Sequence, residues 1–329
     1  MITQIKRFDY IDIAKGIGII LVVCSHSMYS DLMYIASSCF IPLFYVTSGY
    51  VTSKVNIKRK AKKLLIPYVF FNTVILTLMW IVGFKDITLV HLWGILYSRY
   101  ALYRLDITNN LFFMNIGNSP LWFLTSMFLA FIWFYLLLQI KRKGIRLILL
   151  LTYLIITILF SYLPILLPWS LDTSFLMAIF IYSGYAIRNK EDGIELLTGK
   201  VAYRLSIFYV VCLLINGYTN LSISNFGKSV WLTTFAGIAG SLILIKCAIW
   251  LEKTKCKNTL VKIGKNSLII FCIQMPLLFV AKKIYCYIMR EELGKYELIA
   301  GALFQVIFSI TVGYWISKIL TKTIPCVFK

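Results

Sequence analysis

"YIDIAKGIGIILVVCSHSM", residues 10–28, reads as a membrane-spanning helix that carries three residues foreign to hydrocarbon. Asp12, Lys15 and His26 interrupt a run that is otherwise almost wholly apolar. A charge near the bilayer centre costs roughly 2.5–3.5 kcal/mol even on the lenient insertion scale, so such residues usually mark a pathway or a site. Lys15 and His26 are eleven residues apart. At 3.6 residues per turn that is about 20° beyond three full turns, so both lie on one helix face about 16 Å apart. Asp12 sits one turn below Lys15 on the same side. One stripe of this helix therefore holds an acid, a base and an imidazole. Lys15 alone is equally well read as snorkelling to lipid phosphates, and His26 as a hydrogen-bond partner for a neighbouring helix. A buried imidazole on the same stripe, one of two histidines in the chain, shifts the balance to function.

The totals agree with a lipid environment. Of 329 residues, 60% are hydrophobic, 16% aromatic and only 14% charged, far more apolar than a soluble domain requires. Eight cysteines are scattered without a CxxC pair or a nearby histidine; in apolar runs they behave as small hydrophobes, and no metal site is expected. Lys6 and Arg7 before an apolar run resemble a signal peptide, but Asp12, Lys15 and the lack of a small-residue cleavage site favour a retained first helix. With no soluble segment left over, residues 1–329 read as a single transmembrane domain.

A window of about 19 residues places ten spans near 11–29, 35–53, 64–83, 120–140, 145–162, 171–187, 202–216, 229–250, 266–283 and 297–319. The expectation is an all-α integral membrane protein with about ten transmembrane helices. If the N-terminus is cytoplasmic, inner segments hold 23 of the 34 basic residues and outer segments eight. This is the positive-inside asymmetry, with both termini cytoplasmic in a bacterial-type inner or plasma membrane. The net charge of +21 is thereby accounted for without a nucleic-acid partner. The long outer connection, 84–119, is apolar and aromatic, as expected of interfacial helices. Within and beside it, Trp93, Tyr97, Tyr100 and Trp122 could offer flat faces to a sugar ring, or simply form an interfacial aromatic belt.

The second cluster is "NIKRKAKKLLIPY", 56–68. Such runs commonly only set topology and bind lipid, but Arg59, Lys60, Lys62 and Lys63 could also form an inner-face anion site as the loop enters the third helix.

"FDYIDIAKGIGIILVVCSH" resembles the opening helix of the membrane-bound acyltransferase 3 family, whose basic residue, ten-residue gap and histidine are matched by Lys15 and His26. "IPLFYVTSGYV" (41–51), "KRKAKKLLIPY", "SPLWFLTSMF" (119–128) and "IGKNSLIIFCIQMPL" (263–277) are similar to further family elements, in order. Two departures stand out. The basic element is Lys60-x-x-Lys63, or Arg59-x-x-Lys62 shifted by one, so the bidentate fork of an arginine pair is missing. Gln274 stands where many members carry histidine, and an amide cannot shuttle a proton.

The resemblance implies transfer of an acyl group, commonly acetyl, from cytosolic acetyl-CoA or another acyl-CoA to a hydroxyl of a cell-surface or exported glycan. His26 would serve as general base or as transient acyl acceptor, choices the sequence leaves open. Asp12 would compensate or orient Lys15, and Lys15 with the basic cluster would hold the coenzyme phosphates. The short N-terminus, "NGYTNLSIS" (216–224) and the absence of an appended esterase domain point to the sugar O-acetyltransferase branch, which is fucose 4-O-acetylase-like. The other reading is a transporter or flippase for polysaccharide or lipid-linked sugar. That function predicts broken helices in paired halves, a pattern not evident here.

Overall fold

The computed structural model describes residues 8–28, 33–81, 89–99, 102–104, 119–191, 193–289 and 295–328. Among these residues the chain is helical, with two isolated β-bridges and no strand. Helices α1 (Asp9–Ser25), α2 (Met33–Tyr50) and α3 (Ile57–Ile81) are followed by the short α4 (Leu89–Tyr97). Then come α5 (Trp122–Gln139), α6 (Lys143–Ser161), α7 (Leu171–Arg188), α8 (Gly199–Asn216) and α9 (Val230–Leu251). The short α10 (Lys257–Lys265) precedes α11 (Ser267–Met289), α12 (Lys295–Thr323) and the single turn α13 (Pro325–Phe328).

Eight of these, α3, α5 to α9, α11 and α12, are long and apolar enough to cross a bilayer. Large apolar side chains point away from the protein, including Leu214, Trp80, Ile148, Ile307 and Leu159, all more than half exposed. With the polar groups inside and the apolar ones outside, the molecule is an all-α integral membrane protein. α1 and α2 coincide with the other two expected spans and are interior helices.

α1 is enclosed by α2, α9, α10, α11 and α12. That enclosure keeps its charged stripe away from lipid, with Asp12 only 9% exposed. Close approach of α1 to α10 depends on Gly264, where a Cβ would fall 1.8 Å from the Asp12 carbonyl oxygen. The crossing of α2 and α7 is built the same way, since a Cβ on Gly184 would meet the Val46 carbonyl at 1.9 Å. Small residues at crossings are how membrane helices gain van der Waals contact when lipid removes the hydrophobic drive.

The two faces of the bundle are distinct. Tyr10 and Tyr50 share a hydroxyl hydrogen bond of 2.7 Å, Arg188 donates to the Tyr50 carbonyl at 3.0 Å, and Lys257 pairs with Asp9 at 3.0 Å. The start of α1 and the ends of α2 and α7 therefore lie on one face, together with α10. At the other end of α1, the Met28 amide donates to Gln305 Oε1 at 2.7 Å. Gln305 lies in the first half of α12, so α12 runs antiparallel to α1 and its C-terminal end returns to the first face.

The largest boundary difference concerns the basic cluster. The expected loop is helical, because α3 begins at Ile57 rather than near residue 64. Asn56 Oδ1 accepts from the Arg59 amide at 2.9 Å, a side-chain N-cap, and the lysines, arginine and alanine that follow are good helix formers.

Candidate active site

The first helix does not carry His26 inside it. α1 ends at Ser25 and His26 is its C-cap, with its amide bonded to the Val23 carbonyl at 3.2 Å. The imidazole lines a small cavity of about 30 Å³ with Val22, Phe40, Pro120 and Trp122. The expectation that His26 lies within the helix is thus corrected to a position at its end. A residue one step past the last helical position is not packed by its own helix, and here a cavity takes its side.

Lys15 opens onto a second cavity, of about 150 Å³, which Ser48, Met127 and Ser267 also line. Three residues, Phe44, Phe123 and Phe271, line both cavities. Their rings form a chain, with Phe44 and Phe123 centroids 5.9 Å apart and Phe123 and Phe271 centroids 5.1 Å apart. The two ends of the charged stripe are therefore separated by an aromatic constriction contributed by α2, α5 and α11. Sequence reasoning missed these rings as site residues, although "IPLFYVTSGYV", "SPLWFLTSMF" and "IGKNSLIIFCIQMPL" contain them.

The basic cluster divides. Arg59, Lys62 and Lys63 are exposed on the first turns of α3, whereas Lys60 turns inward. Its Nζ lies 3.5 Å from the centroid of the Phe131 ring, within electrostatic reach of Lys15, Lys63 and Arg59. Lys15 in the wall of the inner cavity and Lys60 within electrostatic reach of it make a positive setting that favours an anion. Asp12 lies one turn further towards that face.

Three of the four aromatic residues considered for an acceptor are described, and their settings differ. Trp122 lines the His26 cavity, Trp93 is 62% exposed on α4, and Tyr97 donates to the Leu166 carbonyl at 2.9 Å. Tyr100 lies outside the described residues.

A scan against protein-family models matches an acyltransferase domain over residues 8–318. The chain belongs to this acyltransferase family. No curated protein and no solved structure matches it.

Two further features of this acyltransferase stand out. Gln274, on α11 one turn beyond Phe271, is fully buried, and neither its Nε2 nor its Oε1 has a hydrogen-bond partner. Leaving a buried polar atom unpaired costs about 1–3 kcal/mol, so a structural role alone explains this amide poorly.

The second is a buried ion pair on the His26 face. The Arg99 guanidinium bonds Asp172, with both side chains fully buried, and also donates to the Leu167 carbonyl at 3.1 Å and to the Ser222 carbonyl. Asp172 in turn accepts from the Thr173 amide at 3.0 Å and from the Ser224 hydroxyl. Four non-glycine residues have positive φ among the described residues: Ser98, Trp169, Ser170 and Ser224. Ser98 precedes Arg99 directly, Trp169 and Ser170 lie three and two residues before Asp172, and Ser224 is hydrogen-bonded to Asp172. Such conformations cost of order 1–3 kcal/mol each and persist only where the surroundings impose them. Arg99 and Asp172 are 73 residues apart, and in the sequence each reads as an ordinary charge near a span end.

Proposed function

We propose that this acyltransferase takes its acyl group, acetyl in the simplest case, from acyl-CoA on the basic face and delivers it to a glycan hydroxyl on the His26 face. The observation that carries the reading is the pair of cavities that share Phe44, Phe123 and Phe271 in their walls, one lined by Lys15 and the other by His26.

The division of labour follows from the residues. Lys15 and Lys60, backed by the exposed Arg59, Lys62 and Lys63, hold the coenzyme phosphates through charge-assisted contacts, worth about 1.5–3 kcal/mol each when shielded from water. Asp12 compensates part of the lysine charge and fixes the mouth. The slender thioester arm approaches the aromatic constriction, where the rings exclude water and limit the bulk of what can pass. On the far side, neutral His26 removes the proton from the acceptor hydroxyl as that oxygen attacks the thioester carbonyl; the coenzyme thiolate leaves and takes up a proton. Trp122, in the same cavity, offers a face for the acceptor ring.

In this reading the basic face is cytoplasmic, as the distribution of lysine and arginine favours, and the membrane is a bacterial-type inner or plasma membrane. The sugar O-acetyltransferase branch remains the narrower proposal, resting on the sequence resemblance. No metal is called upon.

The experiment uses membranes carrying the protein, acetyl-labelled acetyl-CoA and glycan extracted from the same cells. Label should move to the glycan and be released by mild base, as an ester is. Label that stays in the coenzyme pool under all acceptors would end the donor assignment.

A further inference from the structure

The His26 face holds a third and larger cleft, of about 540 Å³, between the end of α6 and the segment joining α8 to α9. Its lining includes Arg104, Tyr162, Asn225, Lys228, Ser229 and Trp231, and none of the lining residues among the described ones is acidic. Arg104 and Lys228 supply two positive charges. Tyr162 and Trp231 are 81% and 43% exposed, so their rings are open to a partner.

This cleft is built, not a gap between loops. Asn216 holds the α8–α9 segment from inside: its Nδ2 donates to the Phe226 carbonyl at 3.0 Å and to Thr233 Oγ1 at 2.9 Å, and its Oδ1 accepts from the Ser229 amide at 2.8 Å. Gly227 takes a φ of +66° there, and a Cβ would meet the Asn216 carbonyl at 2.5 Å. Ser224, on the cleft wall, is fixed in a left-handed conformation by its bond to Asp172.

Arg104 is held in place at the cleft wall. Its Nη2 donates to the Phe160 carbonyl at 3.0 Å, and its own amide bonds the Pro164 carbonyl at 2.9 Å, so the guanidinium is positioned. Its Nε is buried and has no partner. The neighbouring Asp172 does not neutralise it, because that carboxylate is already paired with Arg99. A positioned guanidinium in the cleft wall suits a carboxylate, and flat exposed aromatic rings suit the apolar face of a sugar.

We propose that this cleft binds an acidic saccharide stretch of the acceptor, a uronic-acid carboxylate meeting Arg104 and Lys228 and a sugar ring lying on Tyr162 or Trp231. The inference rests on the reading of the acceptor as a glycan, and it makes the cleft a subsite that holds the polymer while a different residue of it reaches His26. It assigns the acceptor a charge, which the cavity at His26 does not.

The test is binding without donor, so that it does not depend on acyl transfer. The protein in nanodiscs of zwitterionic lipid is titrated with oligogalacturonate and with a malto-oligosaccharide of equal length. The acidic oligomer should bind at least tenfold more tightly, and added salt should erode that preference. Lys228→Gln, at an exposed position, should weaken the acidic oligomer several-fold and leave the neutral one unchanged. Arg104→Gln should remove most of the remaining preference. Equal affinity for both oligomers, binding of neither, or a preference that survives both substitutions would overturn the proposal. So would loss of oligogalacturonate binding when anionic lipid is added to the discs, because the occupant would then be a lipid headgroup. Acetyl transfer from labelled acetyl-CoA is measured separately: its failure overturns the donor assignment and leaves the binding result standing.

Discussion

His26 and Gln274 show how a single side chain separates architecture from chemistry. Because His26 is a helix C-cap beside a cavity, His26→Ala removes few packed atoms. The variant should fold with nearly wild-type stability and lose acyl transfer to background, read as ester formed per folded molecule after size-exclusion of the detergent-solubilised protein. Near-normal specific activity in that variant would remove the imidazole from the chemistry. Gln274 predicts the opposite division. Gln274→Leu replaces two unpaired buried polar atoms with hydrocarbon of similar size, so the fold should gain about 1–3 kcal/mol, seen as a higher melting temperature in detergent. If the amide also meets a reactant, that gain comes with a fall in turnover. Unchanged or lower melting temperature would mean that the amide is paired in solution.

The element that changes most between sequence and structure is the first part of α3. A run of cations would be a lipid-facing topology signal if it were a loop, but Asn56 caps it into helix, and a helix gives each cation a fixed direction. Lys60 then points inward over Phe131, and Lys62, two positions on, faces solvent. These two lysines should therefore differ. Lys60→Gln should weaken acyl-CoA binding about tenfold, the loss of one shielded charge-assisted contact. Lys62→Gln should change it by less than about threefold, since exposed charges are worth little. Equilibrium binding of a non-hydrolysable acyl-CoA to both variants decides it, and equal effects would return the whole run to a topological role.

At the scale of the whole molecule, the arrangement makes one face basic and the other the bearer of His26, the strained Arg99–Asp172 network and the polar cleft. The expected orientation puts the basic face in the cytoplasm. A single cysteine at position 58, in a cysteine-free background, should resist an impermeant maleimide applied to intact cells and react once the cells are opened. Reaction in intact cells would invert the molecule. The sequence by itself determined the membrane environment, the approximate positions of the long apolar helices and the placing of Asp12 and Lys15 one turn apart on the first of them, because hydropathy and helical periodicity are local properties that every span carries. Only the tertiary structure decided what those residues face. Phe44, Phe123 and Phe271 come from three helices and meet between the Lys15 and His26 cavities, while Arg99 finds Asp172 across 73 residues. A contact between distant segments depends on how helices cross, and the crossings are set by close approaches such as that of Gly184 to Val46. No local pattern in the chain encodes those encounters.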